Sequence, residues 1–225
     1  MKIRFVLGAF AAVVCANSYA VDATALSTDE QKFSYVIGYQ FGMTLKQDGL
    51  KVDTKAMNQA IQDAMSATPP RLTQEQMQAV METYSKRREQ EQLAIAGKNQ
   101  KAGQAYLASN KKQAGVTELA SGIQYKVLKA GTGKKPKASD SVMVNYRGTL
   151  INGEEFDSSY KRGQPVKFRV DQVIKGWQEV LQLMPTGSKW QAVIPSQLAY
   201  GPKGAGGPIG PNETLVFEIE LLEIK

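Results

Sequence analysis

The sequence predicts an α+β protein in which a helical N-terminal half precedes a domain of short strands built around one short helix. Between residues 27 and 113, apolar residues recur at helical spacing behind capping signals. From residue 116 onward the apolar residues alternate instead, and Asn152-Gly153 supplies a strong hairpin-turn signal. A run of helices followed by a run of strands is typical of the α+β class.

The first twenty residues have the features of an export signal. Lys2 and Arg4 precede a short apolar run, and Ser18-Tyr19-Ala20 places small residues at the positions a signal peptidase reads. The apolar run is shorter than the roughly 20 residues that a membrane span requires. We therefore expect residues 1–20 to be removed after Ala20, and the mature protein to reside in the periplasm or at the outer surface of a Gram-negative-type bacterium.

The composition excludes most kinds of enzyme chemistry. The 225 residues contain no histidine, which excludes histidine-based triads, general bases and metal sites. The only cysteine, Cys15, falls inside the expected signal, so the mature chain has no thiol nucleophile. A rival interpretation makes Cys15 a lipid-attachment site, but Val13 and Val14 are bulky where such signals prefer small residues. Any chemistry must therefore rest on carboxylates, hydroxyls or lysines, or on shape and desolvation alone, and the last of these requires no cofactor and no metal.

The net charge of +7 is concentrated in one stretch. Residues 86–112 carry seven basic side chains against Glu89 and Glu91, with little aromatic interleaving. Such a run is typical of a solvated helix face, and together with the export signal it argues against nucleic-acid binding.

Residues 21–70 are predicted to form a helical dimerisation domain. The first helix begins with a capping box at residues 27–31, and Asp53 is placed to cap a second helix. Two helices of this size rarely support an independent core, so their apolar faces need a partner. Gly38 and Gly42, four residues apart, would let another helix approach closely. We expect a homodimer formed through this segment.

Residues 71–115 are predicted to form a long linker helix that begins at the capping box Thr73 to Gln76 and contains no proline after its start. Its first turns carry an apolar stripe, and the remainder is polar on all sides. We expect the first turns to pack into the helical domain and the rest to be exposed. Disorder after Arg88 is the alternative, because Gly97 and Gly103 weaken the helix.

Residues 116–225 are predicted to form the strand-rich domain. Val142, Val144 and Tyr146 alternate as in a half-buried strand. Asp171 is placed to cap a short helix that Pro185 ends, and residues 200–212 form a loop with five glycines and three prolines.

Five sequence blocks in this domain resemble the FK506-binding-protein (FKBP) family of peptidyl-prolyl cis/trans isomerases. They are Val144–Gly148, Gly153–Ser159, Val173–Trp177, Leu198–Gly201 and Thr214–Phe217. The helical half, with Phe33–Gly38 in its first helix, is similar to the Mip (macrophage infectivity potentiator) and FkpA group of that family. The resemblance implies a half-open antiparallel sheet wrapped on a short helix and a V-shaped homodimer. It also implies binding of proline-containing polypeptides and inhibition by macrolides of the FK506 class.

The resemblance also implies a set of site residues. It assigns Asp157 to the rim beside the twisting amide and Tyr200 to a substrate carbonyl, with Tyr146 beside them as the third catalytic candidate. Arg162 falls where the family often pairs an arginine with that aspartate, and Val166 stands where an aromatic residue often lines the pocket. The remaining implied substrate-binding residues are Phe156, Val173, Ile174, Trp177, Ile209 and Phe217, with Trp177 as the floor.

The implied chemistry agrees with these residue types. Rotation about an X–Pro bond meets a barrier of roughly 18–20 kcal/mol because the planar amide is resonance-stabilised. A dry aromatic pocket favours the less polar twisted state without any nucleophile. The expected function is therefore an exported prolyl isomerase that accelerates folding of extracytoplasmic proteins. The alternatives are a holdase chaperone that grips proline-containing segments with little turnover and a cell-surface interaction protein.

Overall fold

The computed structural model describes residues 26–225, so the predicted export signal and Cys15 lie outside the described residues. The chain forms two compact units that divide after Lys51. The first contains helix α1 (Asp29–Gln47), and the second contains all of the remaining elements. No helix in the described part of the chain combines the length and the apolar character needed to cross a membrane.

Helix α1 begins at the predicted capping box. The Thr28 hydroxyl accepts from the Gln31 amide, and the Gln31 side chain accepts from the Thr28 amide, which completes the capping box. At the other end Asp48 is the C-cap, and Gly49 follows with φ of +66°. The helix buries none of its residues within the chain, and Phe33 is 67% exposed.

Two further helices follow in the second unit. Helix α2 (Thr54–Met65) is capped by the Asp53 carboxylate, which accepts from two backbone amides. Helix α3 (Gln74–Asn110) runs unbroken for 37 residues, so the chain is helical after Arg88 rather than disordered.

The expectation that α3 is exposed beyond its first turns is wrong. Val80 and Met81 in its first turns are 57% and 68% exposed, whereas Gly103 and Asn110 near its end are buried. The Asn110 amide donates to the side chain of Gln124, which in turn donates to the Leu107 carbonyl. The end of the helix is therefore packed on the strand-rich domain through polar contacts.

A seven-stranded antiparallel sheet follows, which confirms the α+β class. Its path is β1-β2-β6-β7-β3-β4, with β5 paired to β3. The strands are β1 (Val116–Glu118), β2 (Gln124–Lys129), β3 (Ser141–Leu150), β4 (Glu155–Ser158), β5 (Val166–Arg169), β6 (Lys189–Ile194) and β7 (Leu215–Ile224).

One short helix, α4 (Lys175–Leu183), lies against this sheet and buries Trp177, Val180 and Leu181 in the core. The expectation that Asp171 caps it is wrong. The Asp171 carboxylate accepts two hydrogen bonds from Arg169, at 3.0 and 2.6 Å, and lies in a separate 3-10 turn. The α-helix begins only at Lys175, with no side-chain cap.

Candidate functional site

A cavity of about 550 Å³ opens between α4, strands β3 to β5 and the loop that precedes β7. Its wall is mostly aromatic and aliphatic, with one carboxylate. The lining residues are Tyr146, Phe156, Asp157, Phe168, Gln172, Val173, Ile174, Trp177, Tyr200, Ala205, Gly206, Pro208, Ile209 and Phe217.

Trp177 is the centre of the aromatic wall. Three rings stand nearly perpendicular to its indole, those of Tyr146, Phe168 and Phe217, at interplanar angles of 89°, 80° and 84° and centroid distances of 5.2, 5.7 and 5.3 Å. Phe156 in turn meets Phe217 edge-on at 5.6 Å. Edge-to-face contacts of this kind are the favoured geometry of aromatic pairs. They fix the rings around the indole, and the cavity that these rings line is an apolar recess at Trp177.

Gly148 on β3 makes this packing feasible. A Cβ at that position would lie 2.5 Å from the Phe156 ring and 2.9 Å from the Phe217 ring. The absent side chain is therefore the space that the two rings occupy. The sequence block Val144–Gly148 contained this glycine, but only the packing assigns it a purpose.

The single carboxylate is held by a network at the rim. The Tyr146 hydroxyl donates to Asp157 Oδ2 at 2.5 Å, and Arg162 Nη1 donates to Oδ1 of the same group. Arg162 Nη2 also donates to the Tyr146 oxygen at 2.6 Å, and the Ser158 amide donates to Oδ1 at 2.8 Å. Each carboxylate oxygen thus has at least one donor, and the side chain remains 40% exposed toward the cavity mouth.

This network sets the charge states of its members. Burial raises the pKa of Asp157, but the hydrogen bonds from Tyr146 and Arg162 and the arginine charge outweigh it and leave the pKa below its usual value. Burial together with the neighbouring carboxylate raises the pKa of Tyr146 to about 12. The site at neutral pH therefore holds a carboxylate, a guanidinium and a neutral phenol.

Tyr200 stands apart from this network. Its ring lines the cavity, and within residues 26–225 its hydroxyl has no hydrogen-bond partner. Burial, followed by the charge of Asp157, raises the pKa of the phenol, so it stays a donor at neutral pH. A bound carbonyl is the kind of acceptor this group could take.

The structure places most of the expected site residues around one cavity, including Phe156, Val173, Ile174 and Ile209. Arg162 does not line it but binds the carboxylate that does. Val166 does not line it either and packs against the core, whereas Phe168, two residues along the same strand, lines the cavity. Phe168 was not among the predicted site residues, although strand alternation puts it on the same face as Val166. Gln172, Gly206 and Pro208 also line the cavity, and none of them was predicted as a site residue. Within residues 26–225 no cluster of residues suits a metal ion.

Comparison with known proteins agrees with this geometry. The family model of FKBP-type peptidyl-prolyl cis-trans isomerases matches residues 132–222. The model of the domain amino terminal to FKBP-type peptidyl-prolyl isomerases matches residues 30–127. The chain therefore belongs to the FKBP-type peptidyl-prolyl cis-trans isomerases and is an enzyme of that class.

Within the family, the similarity is to the Mip and FkpA group. The chain is 45% identical over 230 residues to the outer membrane protein MIP of Legionella longbeachae, across 100% of this chain and 99% of that protein. It is 39% identical to FkpA of Escherichia coli K12, across 96% of this chain and 84% of that protein. The crystal structure of FkpA from Escherichia coli matches with a TM-score of 0.63 and 37% identity, across 89% of this chain and 98% of that one.

Proposed function

We propose that this isomerase is exported and accelerates the folding of extracytoplasmic proteins by seating their proline residues over Trp177. The observation that carries the proposal is the apolar recess formed by three rings around the indole face, with one ionised carboxylate at its rim. A proline ring is small, apolar and rigid, and it fits a recess of this kind.

The recess acts on the reacting bond through its low polarity. The planar X–Pro amide is polar because of resonance, and twisting it removes that resonance and part of the carbonyl dipole. Transfer from water to an apolar wall therefore destabilises the polar planar ground state more than the less polar twisted transition state. Only such a difference between the two states accelerates the reaction.

The polar groups at the mouth hold the flanking peptide. In this proposal the Tyr200 hydroxyl donates to a substrate carbonyl, since it has no partner in the described chain. Asp157, fixed by Tyr146 and Arg162, presents a fixed negative charge beside the twisting bond. A fixed charge in a partly dry site is preorganised and requires no rearrangement during rotation.

A peptide isomerisation assay with a matched pair of variants tests the site. Asp157→Asn keeps the shape but removes the charge, and we expect turnover of an X–Pro peptide to fall about tenfold or more. Asp171→Asn is the control, because Asp171 forms a similarly exposed pair with Arg169 but does not line the cavity. Equal turnover in both variants would show that the site lies elsewhere. Tight peptide binding without turnover in the unmodified protein would favour the holdase alternative.

Export and assembly are supported by separate observations. The export signal in residues 1–20 and the outer-membrane name of the Legionella longbeachae relative support a periplasmic or cell-surface location. The exposed apolar side chains of α1 support a homodimer through residues 21–70, joined by residues 71–115 to isomerase domains in residues 116–225. The same recess is the proposed binding place for macrolides of the FK506 class.

Mass spectrometry of the exported protein checks the proposed location. The expected N-terminus is Val21, and an acylated Cys15 would contradict it.

A further inference from the structure

The long helix α3 touches the same loop that closes one side of the pocket. This loop, residues 200–214, is called the rim loop here, and it supplies Tyr200, Ala205, Gly206, Pro208 and Ile209 to the cavity wall. It follows the 3-10 turn Ser196–Leu198, contains a second 3-10 turn at Gly201–Lys203, and ends where β7 begins.

Two hydrogen bonds join the rim loop to one turn of α3. The side-chain amide of Asn99 donates to the Pro211 carbonyl at 2.9 Å. The side-chain amide of Asn212 donates back to the Ala96 carbonyl at 3.5 Å. Ala96 and Asn99 are three residues apart, so both bonds are made from the same face of the helix.

One turn further along α3, the helix and the loop are in direct contact. Gly103 is buried, and a Cβ on it would lie 3.1 Å from Cβ of Thr214 and closer still to its Oγ1. Thr214 therefore occupies the space that any larger residue at position 103 would need. Gly97 on the same helix has nothing within 4 Å of the corresponding position, so the close approach is local.

The rim loop has little regular structure to hold it in place by itself. Gly201, Gly204, Gly206 and Gly207 have positive φ, which is the backbone freedom that glycine provides. The five backbone hydrogen bonds inside the loop are turn and bridge contacts. They run from Gly204 and Asn212 to the Gly201 carbonyl, from Ala205 to Ile209, from Ile209 to Gly206 and from Gly210 to Pro208. A segment of this kind depends on its neighbours for a single conformation.

We propose that one face of α3, formed by Ala96, Asn99 and Gly103, acts as a positioning element for the pocket, holding the rim loop at the distance from Trp177 that a proline substrate requires. Asn99 and Gly103 are the residues through which it acts. The inference rests on the proposed substrate site, and it makes the end of the long helix part of the machinery that recognises residues flanking the proline.

Paired alanine substitutions in the full-length protein test this. Gly103→Ala pushes the helix and the rim loop apart, and we expect KM for an X–Pro peptide to rise about twofold to tenfold, with kcat little changed. Gly97→Ala is the matched control, because it gives the same gain in helix propensity with no contact to the loop. We expect it to leave both constants unchanged. A purely structural role would instead lower the fraction of active molecules, reducing apparent kcat at constant KM.

A second pair examines the hydrogen bond and the contact separately. Asn99→Asp keeps the shape but places an acceptor against the Pro211 carbonyl, so KM should again rise about twofold to tenfold, the effect of losing one net hydrogen bond. Combining Gly103→Ala with Thr214→Ala should recover part of the lost affinity, because the obstructing hydroxyl is removed.

Unchanged KM in both Gly103→Ala and Asn99→Asp would overturn the inference. If Asp157→Asn still lowers turnover about tenfold or more in that case, the pocket is correctly placed and only the role of α3 is wrong. If Asp157→Asn has no effect, the proposed site itself is wrong.

Discussion

The hydroxyl of Tyr146 donates a 2.5 Å hydrogen bond to the carboxylate of Asp157 across neighbouring antiparallel strands. The two residues lie eleven apart in the sequence, on β3 and β4, and Arg162 in the following turn binds both. Each group thereby fixes the charge state of the next. The pocket has an apolar floor and a rim whose charge is held in one place.

This network predicts a flat pH profile. Because the pKa of Asp157 is lowered, the carboxylate stays ionised to a lower pH than an ordinary aspartate, whose pKa is about 3.9. Tyr146, with a pKa of about 12, remains a donor throughout, and the sequence has no histidine to titrate near neutrality. We expect kcat/KM for peptide isomerisation to be constant from about pH 5 to pH 9.

The acid limb of that profile should respond to Arg162. Arg162→Gln removes a cation and shortens the donor, so the pKa of Asp157 rises and loss of activity begins at higher pH. The contribution of Asp157 to the stability of the fold depends on pH in the same direction as the activity. A carboxyl with a lowered folded pKa stabilises the fold above its unfolded pKa and loses that contribution as pH falls through the folded value. An acid limb that does not move in Arg162→Gln would contradict the assigned network.

Removal of single hydroxyl groups should distinguish the role of Tyr200 from that of Tyr146. Tyr200→Phe deletes a donor with no partner in the described chain, so we expect lower turnover with unchanged stability. Tyr146→Phe breaks a partly buried bond, so it should lower turnover and also reduce the free energy of unfolding by about 1 kcal/mol. Tyr160→Phe is the control, since Tyr160 lies outside the cavity. Denaturant unfolding and peptide assays on the same samples provide both readouts, and full activity in Tyr200→Phe would contradict its role.

Gly148 should tolerate no side chain. Gly148→Ala places a methyl group against the rings of Phe156 and Phe217, and overpacking of this kind costs about 1–3 kcal/mol. We expect a lower midpoint of denaturant unfolding and weaker peptide binding. Gly97→Ala, which meets open space, should be neutral or slightly stabilising. A wild-type midpoint in Gly148→Ala would mean that the two rings pack differently.

Assembly through α1 should be sensitive to Gly42. Gly42→Leu adds bulk to a helix whose apolar residues, such as Phe33 and Phe41, are exposed in the single chain. We expect light scattering to give a dimer for the mature protein and a monomer for this variant, with turnover of short peptides retained. Gly97→Leu is the control with the same bulk on a different helix. A monomeric mature protein would remove the basis for the dimer.

The sequence by itself determined the class of fold, the family and most of the pocket. Tyr146, Phe156, Trp177 and Phe217 stand in different sequence blocks, and the resemblance of those blocks to the FKBP family implied that they share one pocket. The capping boxes at Thr28 and Thr73 likewise fixed two helix starts, since capping depends on residues only three apart.

Only the tertiary structure decided how the long helix is used and which strand residue completes the pocket. In the sequence, Asn99, Gly103 and Asn110 are indistinguishable from residues on a solvated helix face, because polar side chains give no periodic apolar signal. Val166 and Phe168 share a face, so alternation could not say which one reaches the cavity. Which of the two lines the cavity depends on where β5 lies relative to the elements packed around it. Local patterns determine secondary structure, but which polar groups pair across the chain depends on distances that exist only in the folded protein.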